Sequence, residues 1–133
     1  MHNPIVVIGL AGLAAWLFGA AWYTTLGKAW QRALGMNPDD CKGKKMPITP
    51  LVVCLLAEWL MAATMYQVLT NLGVNGWQDG AIAGATLGVG FLLTTTVVNN
   101  AFQQRSKMLT VIDGAHWVLV LVIEGAIVAA MTA

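Results

Sequence analysis

The stretch VIDGAHWVLVLVIEGAIVAA, Val111 to Ala130, decides how this chain is to be read. It is apolar over about the 20 residues that a helix needs to cross a bilayer, yet it holds Asp113, His116 and Glu124. On a period of about 3.6 residues, Asp113 and Glu124 fall within roughly 20° of one another, and His116 and Val120 flank the same stripe. An apolar helix with one such edge must turn it towards a partner and away from lipid. The fold has to supply neighbouring helices.

Three further apolar runs supply them: residues 4–22 (PIVVIGLAGLAAWLFGAAW), residues 50–69 (PLVVCLLAEWLMAATMYQVL) and residues 81–98 (AIAGATLGVGFLLTTTVV). The chain is 58% hydrophobic and only 10% charged, whereas soluble domains run near a quarter charged, so the composition belongs to the membrane class. The expected fold is all-α, a four-transmembrane-helix bundle with a short interfacial helix in its first polar loop, forming one integral membrane domain over residues 1–133. The leading MHNP has no Lys or Arg, and positive charge follows the first apolar run, so that run reads as a retained helix and not as a cleaved signal. A formal net charge of +1 carries no nucleic-acid footprint.

The distribution of charge says more than its sum. All 7 Lys and Arg residues fall in residues 23–49 (Lys28, Arg32, Lys42, Lys44, Lys45) or 99–110 (Arg105, Lys107). Four spans put those two loops on one side, and the positive-inside rule makes that side cytoplasmic, with both termini outside. In the first loop, Leu26, Ala29, Trp30, Ala33 and Leu34 share one helical face and Lys28 and Arg32 the other, the pattern of a helix lying in the interface. Trp22, Tyr23 and Trp30 are expected at headgroup depth as an aromatic belt. Asn37-Pro38-Asp39-Asp40 reads as a capped helical start. The Lys42, Lys44, Lys45 cluster reads as an orientation signal or as a site for anionic lipid.

The third run carries Gly80, Gly84 and Gly88, a small-residue ladder that lets another helix approach closely, and Thr95 and Asn99 are expected to continue its face. The second and fourth runs share a loose likeness, Glu58-Trp-Leu-Met-Ala-Ala-Thr-Met beside Glu124-Gly-Ala-Ile-Val-Ala-Ala-Met, which is either an internal repeat or a coincidence of common residues. Glu58 should lie about 12 Å inside its helix and Glu124 about 20 Å inside the fourth, at 1.5 Å per residue. An ionised carboxylate at such depth costs about 3 kcal/mol, so each is paired, hydrated or protonated. The functional reading is a proton or cation site. The structural one is a neutral acid bonded to a neighbouring helix. Asp113 is expected to pair with Arg105 or Lys107 or to cap its helix, His116 to relay protons or to be a satisfied polar residue, and Asn99 and Asn100 to cap. Cys41 and Cys54 fall on opposite sides of a span boundary, which speaks against a bridge. No CxxC or Cys/His spacing suggests a metal or cofactor.

The pattern Gly19-x-x-Trp22-Tyr23, Gly27-Lys28-x-Trp30, Ala33-Leu34-Gly35, then Gly90-Phe91, Asn99, Phe102, Arg105 and Ile112-Asp113-Gly114 resembles a family of small bacterial four-helix integral membrane proteins, domain of unknown function 1761. The resemblance implies four spans in a bacterial inner membrane and no established activity, so it transfers no functional residue. Enzyme chemistry is not expected, since no metal cluster, carboxylate motif or Ser/His/Asp arrangement stands out. The expected function is an oligomeric proton- or cation-linked carrier or channel for a small solute, using Glu124 and Glu58. The alternative is a non-catalytic accessory subunit of a membrane complex, docking through Gly80, Gly84 and Gly88.

Overall fold

The computed structural model describes residues 2–44 and 47–133; Lys45 of the basic cluster and the Cys41 side chain lie outside that description. Helix α1 (Pro4–Thr25) starts where the Asn3 side chain accepts from the Ile5 amide and Pro4 fixes the first turn. Thr24-Thr25 lets α1 run past Trp22, and a bend at Leu26 leads into α2 (Gly27–Ala33). On α2, Lys28 and Arg32 are exposed, while Ala29, Trp30 and Ala33 on the other face are half-buried. A short 3-10 turn, Pro38–Cys41, is capped by Asn37, whose side chain accepts from the Asp39 amide at 3.0 Å.

Helix α3 (Ile48–Asn71) is followed by a turn through Gly73, and then by α4 (Trp77–Leu87), a π-helical segment (Gly88–Leu93) and α5 (Thr94–Phe102), which form one continuous helix. Helix α6 (Lys107–Thr132) ends the fold. The described residues thus form an all-helical protein with four helices long and apolar enough to cross a membrane: α1, α3, Trp77–Phe102 and α6. Threonines are tolerated within these helices because their hydroxyls donate to a carbonyl one turn back, as Thr64 does to Leu60, Thr86 to Ile82 and Thr96 to Leu92.

Helix α6 stands at the centre, packed on α1, on α3 and along α4. Its buried positions fall on two flanks. His116, Val120, Glu124 and Val128 face the α1–α3 side, and Gly114, Leu121 and Gly125 meet the third span. The glycine ladder is filled from within the chain. A methyl on Gly80 would strike the Gly125 carbonyl oxygen, one on Gly84 the Leu121 carbonyl oxygen, and one on Gly88 would lie 3.0 Å from the Val118 Cα. The two hairpins are not packed equivalently, because α1 lies on α6 as well as α3 while α4 lies chiefly on α6.

The π-helical turn corrects one reading. Thr95 and Asn99 do not continue the ladder's face: both are exposed, and the inward positions after the turn are Thr96 and Asn100. The wide turn inserts one extra residue, which rotates everything beyond it by about 100°. Asn100 Nδ2 then reaches Thr110 Oγ1 on α6 at 3.0 Å.

The two basic loops touch. Ser106 accepts from the Leu109 amide as the N-cap of α6 and donates to the Ala33 carbonyl at 2.8 Å. Residues 34–36 and 103–105 therefore lie at one end of the molecule, the arrangement that the charge distribution requires.

Candidate functional site

Glu58 and Glu124 are both fully buried, on α3 and α6. Their relative depth follows from α1, which runs antiparallel to both. Gly12 of α1 lies against Trp59, where an added Cβ would stand 3.1 Å from the Trp59 Cα, and Gly19 lies against the His116 ring. From Gly19 to Gly12 is about 10 Å of helix, and the same rise along α6 leads from His116 to Ile123. Trp59 and Ile123 are therefore level, and Glu58 and Glu124 lie within about one turn of the same depth. This corrects the expectation that Glu124 sits much deeper than Glu58: the boundary of a helix in an apolar run does not report where neighbouring helices place it. Glu58 is within electrostatic reach of Glu124.

The pair is poorly satisfied by its own chain. The Cys54 thiol, one turn back on α3, donates to Glu58 Oε2 at 3.5 Å. Glu58 Oε1 and both oxygens of Glu124 have no hydrogen-bond partner. No Lys or Arg ion pair reaches either acid among the described residues, nor do three or more His, Cys, Asp and Glu side chains gather as a metal centre there. Buried carboxyls left in this way cost far more as two anions than as acids holding a proton.

Towards the basic loops lies a second polar group. Asp113 neither pairs with Arg105 or Lys107 nor caps α6. Its Oδ1 accepts from the Tyr23 hydroxyl at 2.6 Å, because α6 begins at Lys107 under the Ser106 cap and carries Asp113 into the helix body. Trp22 Nε1 donates to the Ile112 carbonyl at 3.2 Å. Trp22 and Tyr23 thus both bond to α6. His116 is 2% exposed and stacked on Phe18, with Tyr23 and Trp117 against its ring at 4.9 and 4.6 Å between centroids, and its Nδ1 has no partner. Trp30 packs edge-on to Tyr23. Lys28 and Arg105 are exposed, and Arg105 Nε donates to Gln103 Oε1 at 3.3 Å.

The structure thus brings together Glu58, Glu124, His116 and Asp113 along the seam of α1, α3 and α6, and adds Tyr23 and Cys54 to them. Asp113 lying inside an apolar helix signalled the need for a donor, but not that Tyr23 supplies it. Cys54, four residues before Glu58, was signalled by helical spacing.

These features define a helical membrane-type protein with an acidic pair sealed among its helices. The chain belongs to the family of proteins of unknown function DUF1761, whose model matches residues 6–129. No curated protein and no solved structure matches it.

Proposed function

We propose that this protein is a proton-linked carrier or channel for a small solute, acting as an oligomer, with Glu58 and Glu124 as its proton-binding pair. One observation carries the reading: two fully buried carboxyls from different helices lie level with each other, and three of their four oxygens have no partner. Intramembrane acids of this kind mark ion and proton pathways. A proton on each acid lowers the cost of burial, and its release regenerates that cost, which is how proton binding becomes coupled to helix packing. Four helices with a filled core enclose no path of their own, which motivates the oligomer. The accessory-subunit reading would need a docking surface other than the glycine ladder, which α6 occupies.

The test is proton flux into proteoliposomes containing wild type, Glu58→Gln or Glu124→Gln, with thermal stability measured in parallel. Glutamine keeps the volume and removes the proton site. The proposal expects wild-type flux and a loss of tenfold or more in each variant at unchanged stability. Equal flux in all three, or none in wild type under any imposed solute gradient, overturns it. Native mass measurement from lipid nanodiscs checks the oligomer, which a uniform monomer would exclude.

A further inference from the structure

Polar side chains come closest to the carboxyl pair on the basic-loop side. On the basic-loop side stand the Tyr23–Asp113 hydrogen bond at 2.6 Å and the adjoining His116 ring, with an unpartnered Nδ1. Cys54 follows, within electrostatic reach of the Tyr23 phenol and bonded to Glu58 at 3.5 Å. Tyr23, Asp113 and Cys54 are half-buried, His116 is 2% exposed and both glutamates are 0% exposed. On the opposite side the interior is Val7, Ala11, Ala62, Met65, Leu69 and Val128, all at 2% exposure or less. The polar side chain beyond them on α3, half-buried Tyr66, bonds His2 at 2.8 Å and lies about 12 Å along the helix from Glu58. A proton crosses polar groups and water readily and dry hydrocarbon hardly at all.

We infer that the Glu58–Glu124 pair communicates with one face only in this conformation, the face of the basic loops, along the seam of Asp113, Tyr23, His116 and Cys54, and that the apolar plug around Ala62 and Met65 closes the other. Loading transfers one proton from an acid in loop-side water to a glutamate oxygen, and the charge of the pair rises by one. The inference rests on the proton-site reading for its purpose but not for its test.

The test is reaction of single cysteines with a charged, membrane-impermeant thiosulfonate, in sealed vesicles of both orientations. Met36→Cys, placed in a Cys41→Ser, Cys54→Ser background at a position 46% exposed on the first loop, marks the basic-loop face. Cys41→Ser alone leaves Cys54 as the reporter of the seam, and Ala62→Cys in the cysteine-free background reports the plug. Cys54 should react at least tenfold faster from the face that labels Met36→Cys, and Ala62→Cys should react from neither. Reaction of Cys54 from the far face, from both faces equally or from neither overturns the inference, as does reaction of Ala62→Cys from the far face. If Ala62→Cys fails to fold by size-exclusion chromatography, Ala11→Cys replaces it. Labelling requires no flux, so the two readings fail separately. One-sided labelling without flux removes the carrier and keeps the seam, whereas glutamate-dependent flux with far-face labelling does the reverse.

Discussion

Gly84 and Gly9 show how differently two glycines of one chain are constrained. A methyl at Gly84 collides with backbone of α6, whereas one at Gly9 meets nothing within 4 Å. Gly84→Ala should therefore cost about 1–3 kcal/mol through forced separation of the helices, while Gly9→Ala should gain about 0.5–1 kcal/mol from reduced backbone freedom. Melting temperatures in one detergent decide both, and a neutral Gly84→Ala would sink the close-packing argument. Gln104 adds a third case: it is a non-glycine residue with φ of 54° where α5 ends. Replacing it by glycine should stabilise by up to about 1 kcal/mol in the same assay, because only glycine adopts that conformation without a steric penalty. At this scale the sequence was informative about liabilities and silent about partners. Glu58, Glu124, Asp113 and His116 stand out because charge in an apolar run is costly. That Tyr23 answers Asp113 across 90 residues depends on helix rotation, which composition does not encode.

Helices join through their edges, and here three indoles form the joints: Trp16 to the Leu51 carbonyl, Trp22 to that of Ile112 and Trp59 to that of Gly9. Each adds a donor to a carbonyl on a neighbouring helix. Trp22→Phe should cost about 1 kcal/mol by chemical denaturation, from the lost bond. Ser106→Ala removes the α6 cap and the tie to Ala33 together and should cost about 1–2 kcal/mol. An unchanged midpoint in Ser106→Ala would show that the loop contact carries no weight. The π-helical segment gives the sharpest element-scale expectation. Deleting Val89 should restore regular winding and rotate α4 against α5 by about 100°. Either the Gly80–Gly84 contact or the Asn100–Thr110 bond must then be lost, and the deletion should melt at least as early as Gly84→Ala. The four long apolar helices were legible from hydropathy, but this turn was not. A regular 3.6-residue period extended through Gly88-Val-Gly-Phe-Leu-Leu puts Thr95 and Asn99 inward, where the molecule has Thr96 and Asn100.

At the scale of the whole molecule, four helices long and apolar enough to cross a membrane, and two basic loops at one end, were readable from apolar run length and from the placement of Lys and Arg. The central position of α6 was foreshadowed by its charged stripe, since a helix needing partners on that edge must sit among others. The level placement of Glu58 and Glu124 was not readable, because depth is set by the Gly12–Trp59 and Gly19–His116 contacts between chains of residues far apart in sequence. Amide hydrogen exchange in micelles should be slowest in α6 between Val120 and Ala129 and fastest, within the long helices, at Gly88–Leu93, where the hydrogen bonding is irregular. The opposite order would contradict the packing described.

The central place of α6 also bears on how the protein is made. Helices α1 and α3 can close on each other through Gly12 and Trp59 as soon as both are in the bilayer, but Glu58 then has only Cys54 beside it. The third span emerges with its glycine ladder open and no mate until α6 follows. A chain lacking α6 would therefore leave an unshielded acid and an unoccupied groove. One helix, α6, covers both.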